Sequence, residues 1–452
     1  MNALQTPLDG SRESQPKVWD APYLDAGKIQ ARVEVPGSKS LSNRYLVLQY
    51  LSSRSAKLTN LLKARDTELM INALTSLSSA PLGAEVDIFT GLAGTVMRFV
   101  PPLAALREGV TNFDGDAGAR NRPQGAILDA LEALGAEIVR KNGDFLPFSI
   151  RGKGALRGGR VELDASGSSQ FVSALLLVGP RFKKGLHIVH TGAKIPSLPH
   201  IDMTLDVLNE SGIKAYRVDD RFEWMVSPGE VNLPDVYIEP DLSNAGPFMC
   251  AALANPSGGV MEIPSFPDVT TQPGAQFLDI LPQFGAKVLR THDETPAGIR
   301  SGASSVRIAS EGNINGIDVD LRAAGEITPT VAALCALANG ESYLRGVGHL
   351  RGHETDRLES IKTEVQKLGR SCAIIEDDII HIGEMPPGGL KPVVFESYHD
   401  HRMATFGAIV GLRVHGCKVV DIETTSKTMP EFPALWAGML AGESVSEEVV
   451  AT

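Results

Sequence analysis

VEVPGSKSLSNRYLVL, Val33 to Leu48, decides how this chain is read: an apolar, strand-like run breaks at small and polar residues, then enters an apolar helical run. The same pattern returns in VDIFTGLAGTVMRFV from Val86, VELDASGSSQFVSALLLV from Val161 and VYIEPDLSNAGPFMCAALA from Val236. It returns again in IDVDLRAAGEITPTVAALCALA from Ile317 and VVFESYHDHRMATFGAIVGL from Val393. The first interval is 53 residues and the others are 75, 75, 81 and 76. A second beat lies between them, in LEALGAEI, LNESGIKA, LPQFGAKV and VQKLGRSC. There Gly135, Gly212, Gly285 and Gly369 are expected to stop a helix in the left-handed region before a strand. The chain therefore repeats one α/β unit about six times. Each unit aims a helix N-terminus, which attracts anions, at its strand-to-helix loop.

At 452 residues, two or three domains are expected. Three units on either side of a crossing near Glu239-Pro240-Asp241 give two similar halves. Residues 34–240 form the first and 241–440 the second, with about 18–33 returning to the second. Residues 1–17 and 441–452 are polar or acidic and are expected to be flexible tails. Strands are expected in KLTNLL, GVTNFDG, GLHIVHTG, GVMEIPS and KVVDIETT, and helices in GAILDALEALGA and RLESIKTEVQKLGR.

A net charge of −11 argues against a nucleic-acid partner, because no basic excess exists to neutralise phosphates. No apolar run reaches membrane-spanning length. Four scattered cysteines without a C-x-x-C pair fit reduced thiols and a cytoplasmic location. Against this acidic background, cations gather in loops that precede helices: Lys39, Arg44, Arg98, Arg120, Arg122, Arg351, Arg357, Arg402 and Lys427. One such arginine is unremarkable, but a set most of whose members occupy the same slot of different repeats points to a multiply charged ligand. Walker and H-E-x-x-H strings are absent, which disfavours an ATPase or a zinc hydrolase. No metal or cofactor is expected.

P-G-S-K-S-L-S-N-R (Pro36–Arg44), A-G-T-V-M-R (Ala93–Arg98), S-S-Q-F (Ser168–Phe171), R-G-H-E-T-D-R (Arg351–Arg357), D-H-R-M-A (Asp400–Ala404) and the late S-K-T together resemble the 5-enolpyruvylshikimate-3-phosphate synthase family. The resemblance runs from about Val33 to Lys427. It implies two domains of three βαβαββ units with the active site in the cleft between them. It also implies transfer of a carboxyvinyl group from phosphoenolpyruvate to shikimate 3-phosphate by addition–elimination. Carried over by position, it places Lys39, Gly94, Arg122, Gln170, Arg357, Arg402 and Lys427 at phosphoenolpyruvate. Lys39, Ser40, Arg44, Ser168, Ser169, Gln170, Ser197, Glu326 and His353 fall at shikimate 3-phosphate. Glu326, Glu354, Lys39 and His401 are the expected catalytic groups, working as a monomer.

Several positions depart from the family's commoner pattern. Glu326 stands for Asp, His353 for a Lys, His349 and Leu92 for Asn, His200 for Tyr and Leu198 for Lys. This set resembles the actinobacterial branch. His353 thereby becomes a group expected to titrate near neutrality. Gly94 and T-V-M-R-F imply a glyphosate-sensitive form. The rival readings are the related transferase acting on UDP-N-acetylglucosamine, whose reactive cysteine DGDAGARNRP lacks, and a catalytically silent ligand-binding homologue.

Overall fold

In a computed structural model of the chain, residues 17–218, 221–292, 296 and 302–445 are described. The units expected from the sequence are present. Residues 86–152 run strand Val86–Phe89, helix Gly94–Leu106, strand Gly109–Asp114, helix Gly125–Ala133 and strands Glu137–Asn142 and Phe145–Gly152. The order across their sheet is first, second, fourth, third, with the first two strands parallel and the others antiparallel. Residues 159–226 and 318–382 repeat that sheet. Gly135, Gly212, Gly285 and Gly369 have φ of 103°, 79°, 105° and 87°. These values lie where a side chain is disfavoured, so glycine ends the preceding helix or turn and lets the next strand begin.

Two apolar cores result. One is built from residues between Leu41 and Ile238, the other from Ala21–Val35 together with residues between Leu242 and Met439. The six helices that follow the strand-like runs form their centres. Those in the first half are Lys39–Leu51, Gly94–Leu106 and Gln170–Val178; in the second they are Leu242–Ala254, Thr328–Leu337 and His401–Gly411. Every residue of the three second-half helices is buried. FMCAALA, VAALCAL and FGAIVG suit this, being apolar all round rather than on one stripe. Arginines satisfy the C-terminal ends of two of these helices. Arg413 donates to the carbonyls of Leu253 and Ala254, and Arg370 to those of Ala336 and Ala338.

The crossing exchanges strands. Within a complete unit the first strand pairs in parallel with the second. Yet Ile29–Val33, the first strand by sequence, pairs with Gly259–Pro267 of the fourth unit, whereas Val236–Tyr237 pairs with Leu58–Thr59 of the first. The two passing segments hold each other. Ser38 N–H donates to the Glu239 carbonyl at 2.8 Å, and Asp241 N–H donates to that of Pro36 at 2.8 Å.

Three local expectations need correction. LPQFGAKV follows only a single helical turn, Phe277–Ile280, because Pro282 cannot extend a helix there. KVVDIETT keeps its strand only over Lys418–Val420, then tightens into a 3₁₀ segment, Ile422–Lys427. The expected tail from 441 begins with structure, since Ser444–Val445 pairs in parallel with Arg32–Val33. The remaining tail residues, 1–16 and 446–452, lie outside the described residues.

Candidate active site

All six central helices present their N-terminal ends to one cleft between the halves, with about 1120 Å³ of free space, part of it open to solvent. Ser38, Lys39, Ser40, Gly94, Thr95, Arg98, Arg122, Ser168, Ser169, Gln170, Ser197 and His200 line it from the first half. Asp241, Glu326, His349, His353, Glu354, Arg357, His401 and Arg402 line it from the second. An aligned helix carries roughly half a positive charge at this end, so six of them favour an anion before any side chain is counted.

Caps fix these ends. Asp241 accepts from the N–H groups of Ser243 and Asn244 at 3.1 and 3.0 Å, starting one second-half helix. Its other oxygen accepts from Lys39 N–H of the first half at 3.1 Å. Asp400 accepts from Arg402 N–H at 2.9 Å and holds Arg357 through Nε at 2.8 Å. A Cβ at Gly94 would stand 2.9 Å from Arg98, 3.0 Å from Arg122 and 3.1 Å from Gln170, so a side chain there would press on the polar ends of all three.

The charges are arranged differently on the two walls. On the first, Arg98 donates to the Gly94 carbonyl and to Gln170 Oε1, and Arg122 to the Leu92 carbonyl, all neutral acceptors. Lys39 Nζ stands 3.3 Å from Asp66, a buried carboxylate on the lining. In the second half Arg357 and Lys427 are paired. Glu354 meets Lys427 and Arg357, each at 3.1 Å. Burial opposes charge on Glu354, but Lys427, Arg357, Arg122 and His401 outweigh it and hold its carboxyl well below the usual range. Glu326 accepts from Ser243 Oγ and stands 3.3 Å from His200 Nε2 across the cleft. Burial again opposes its charge, while His200, Arg402 and Ser243 prevail, so it too stays ionised.

Three expected residues behave differently. Arg44 is not on the lining. It is 1% exposed and donates to Thr204 Oγ1, the Ser40 carbonyl, Ser173 Oγ and the His200 carbonyl. It braces the wall from behind, because a residue one helical turn beyond Ser40 points inward here. His353 does not titrate near neutrality. Burial and Arg357 drive its pKa well below the ordinary histidine value. Its Nδ1 takes a hydrogen bond from Arg357 at 3.1 Å, so the ring's own proton sits on Nε2. Lys427 is buried and off the lining, with its Nζ 3.1 Å from Glu354 Oε1.

Two cations of the sequence set turn away. Arg120 pairs with Asp114 at the surface, and Arg351 with Asp356 and Asp377. Asp66 was not anticipated; in KARDTELM nothing marks it beyond its place in the first turn of helix Arg65–Ser79. Gln272 also lines the cleft without a sequence signal, and Thr428 does so as the last residue of the late S-K-T string. Among the described residues no group of His, Cys, Asp and Glu is placed to hold a metal ion, and no helix is long and apolar enough to cross a membrane.

Comparison of the fold finds EPSP synthase from Acinetobacter baumannii, with a TM-score of 0.74 at 23% identity over 91% of this chain and 96% of that one. It also finds the enolpyruvyl transferase NikO from Streptomyces tendae, with a TM-score of 0.70 at 16% identity over 94% and 98%. The architecture is thus the two-domain one shared by these transferases. The family model for EPSP synthase (3-phosphoshikimate 1-carboxyvinyltransferase) matches residues 25–436. A 3-phosphoshikimate 1-carboxyvinyltransferase from Kocuria rhizophila, an actinobacterium, is 48% identical over 96% of this chain and 99% of its own length. The chain belongs to the EPSP synthase family.

Proposed function

We infer that the chain transfers the enolpyruvyl group of phosphoenolpyruvate to the 5-hydroxyl of shikimate 3-phosphate and releases phosphate. The observation that carries this reading is the convergence of six helix starts, with Arg98, Arg122, Arg357 and Arg402, on one cleft in a chain of this family. Each substrate brings a phosphate and a carboxylate, and such a cleft offsets their mutual repulsion.

Addition joins the 5-oxygen to C2 of phosphoenolpyruvate as that oxygen loses its proton and C3 gains one. Elimination then breaks the C2–phosphate bond of the tetrahedral intermediate and returns a proton from C3. Two separately placed groups suit the two proton sites. Glu326, charged and facing the first half, takes the hydroxyl proton. Glu354 serves C3. A phosphoenolpyruvate anion drawing on Lys427 and Arg357 weakens their hold on Glu354 and raises its proton affinity. Lys39 and His401 complete the catalytic set. Gly94, Arg122, Gln170 and Arg402 hold phosphoenolpyruvate; Ser40, Ser168, Ser169, Ser197 and the Nε2–H of His353 hold shikimate 3-phosphate, with Arg44 bracing them.

Because one chain supplies both walls, a cytoplasmic monomer needing no nucleic acid, membrane or metal is the proposed working unit. Release of inorganic phosphate from phosphoenolpyruvate, measured with and without shikimate 3-phosphate, tests this. It should require both substrates and persist after chelation. No release with both present overturns the reading. UDP-N-acetylglucosamine as the effective acceptor would favour the rival transferase.

A further inference from the structure

The cross-cleft contact between His200 and Glu326 joins two side chains from opposite halves. His200 is the second residue of helix Pro199–Glu210 in the first half. Glu326 lies in the 3₁₀ turn Gly325–Ile327 that leads into a second-half helix. The backbone of His200 is pinned on both sides. Its carbonyl accepts from Arg44 at 2.7 Å and from Thr204 Oγ1 at 2.9 Å, and its N–H donates to the Ser197 carbonyl at 3.0 Å. Ser197 has a φ of 53°, a left-handed conformation that turns the chain into the helix. With its backbone held, the imidazole projects into the cleft, where Nε2 stands 3.3 Å from Glu326 Oε2. The other Glu326 oxygen is taken by Ser243. The carboxylate is therefore held from both halves, by Ser243 on its own side and by His200 across the cleft, with Arg402 adding electrostatic attraction.

We propose that His200 is a positioning residue for the transfer reaction: it fixes the Glu326 carboxylate from the opposite half, so that the hydroxyl's base is assembled only when the two walls meet. This rests on Glu326 being that base. Reach supports it. Shortening Glu326 by one methylene withdraws its carboxylate by about 1.5 Å, which opens the His200 contact beyond hydrogen-bond range. A misplacement of that size costs on the order of 10²-fold in rate when the displaced group takes part in the chemistry.

The test is a double-mutant cycle in steady state, with His200→Phe, His200→Gln, Glu326→Gln and the His200→Phe/Glu326→Gln pair, each checked by thermal unfolding. His200→Phe should lower kcat by roughly 10- to 100-fold with little change in KM for phosphoenolpyruvate. In the Glu326→Gln background it should cost nothing more. His200→Gln, whose amide can still donate, should recover part of the loss. Additive losses, an unchanged kcat in His200→Phe, or tighter shikimate 3-phosphate binding with kcat intact would overturn the proposal; the last would make the contact a latch that substrate displaces. A Glu326→Gln variant with normal kcat would instead defeat the assignment of the base.

Discussion

The two walls of the cleft come from the same repeated unit yet differ in chemistry. The first presents hydroxyls, a glycine turn and an amide, with Arg98 and Arg122 resting on neutral oxygens. The second presents Glu326 and Glu354, with Arg357 clamped between Glu354 and Asp400. A wall whose arginines face neutral partners offers its charge to a ligand at little cost. A wall of paired charges must exchange one partner for another, and that exchange changes proton affinity. The contrast assigns binding mainly to the first wall and proton transfer mainly to the second.

The strongest way to break this division is to neutralise the second wall's carboxylates. Glu326→Gln and Glu354→Gln should each lower kcat by roughly 10²–10⁴-fold in the phosphate-release assay. Glu326→Asp should keep more activity than Glu326→Gln, because charge survives although reach is lost. If the amide variants raise only KM, the carboxylates merely orient cations and the division fails.

Next in size is Arg357→Met. Asp400 is fully buried, and removing its partner leaves an uncompensated charge there. Denaturant unfolding should show a loss of about 3–5 kcal/mol, accompanied by loss of activity. Stability within 1 kcal/mol of the parent would mean that Asp400 is satisfied by its cap bond to Arg402 alone.

A smaller effect is expected on the first wall. Ser168→Ala and Ser169→Ala should each raise KM for shikimate 3-phosphate by roughly 10-fold while kcat changes little, as for a neutral hydrogen bond. A drop in kcat with KM unchanged would move chemistry onto the binding wall.

The smallest effect is a slope against pH. His401 is buried, and burial, Arg402 and Lys39 push its pKa well below the ordinary value. The unfolded chain then binds more protons than the folded one below about pH 6.5, so this contribution is full above that pH and lost as pH falls. From pH 7 to 5, His401→Phe should lose stability less steeply than the parent, by up to about 1.4 kcal/mol per pH unit. Equal slopes would show that His401 finds a proton acceptor in the fold.

What the sequence made legible was local. The strand-to-helix breaks and the left-handed glycines depend on a few adjacent residues, and each appears where its string stands. The convergence of Lys39, Gly94, Gln170, Glu326 and Arg402 followed from their shared slot in the repeat, while Glu354 and Arg357 come from the loop before a unit's second helix, which R-G-H-E-T-D-R marks. What stayed hidden depends on partners far along the chain. Arg44 and Arg122 are equally cationic strings on paper, but only packing against Thr204 and Ser173 sends Arg44 behind the wall. His353 stays neutral because Arg357 and burial act on it together. Asp66 reaches the lining from a helix start that no string marked, 3.3 Å from Lys39.

The strand exchange has a consequence for synthesis. Leu58–Thr59 and Val236–Tyr237 both emerge by residue 237, so the first half can complete its sheets early. The earliest strands must wait. Ile29–Val33 has no sheet until Gly259–Pro267 is made, and Val18–Asp20 none until Lys418–Val420 emerges. At about 5–20 residues per second, that last delay of about 400 residues is roughly 20–80 s. Throughout it, a nascent chain carries Val18–Asp20 as an edge that only Lys418–Val420 can cover.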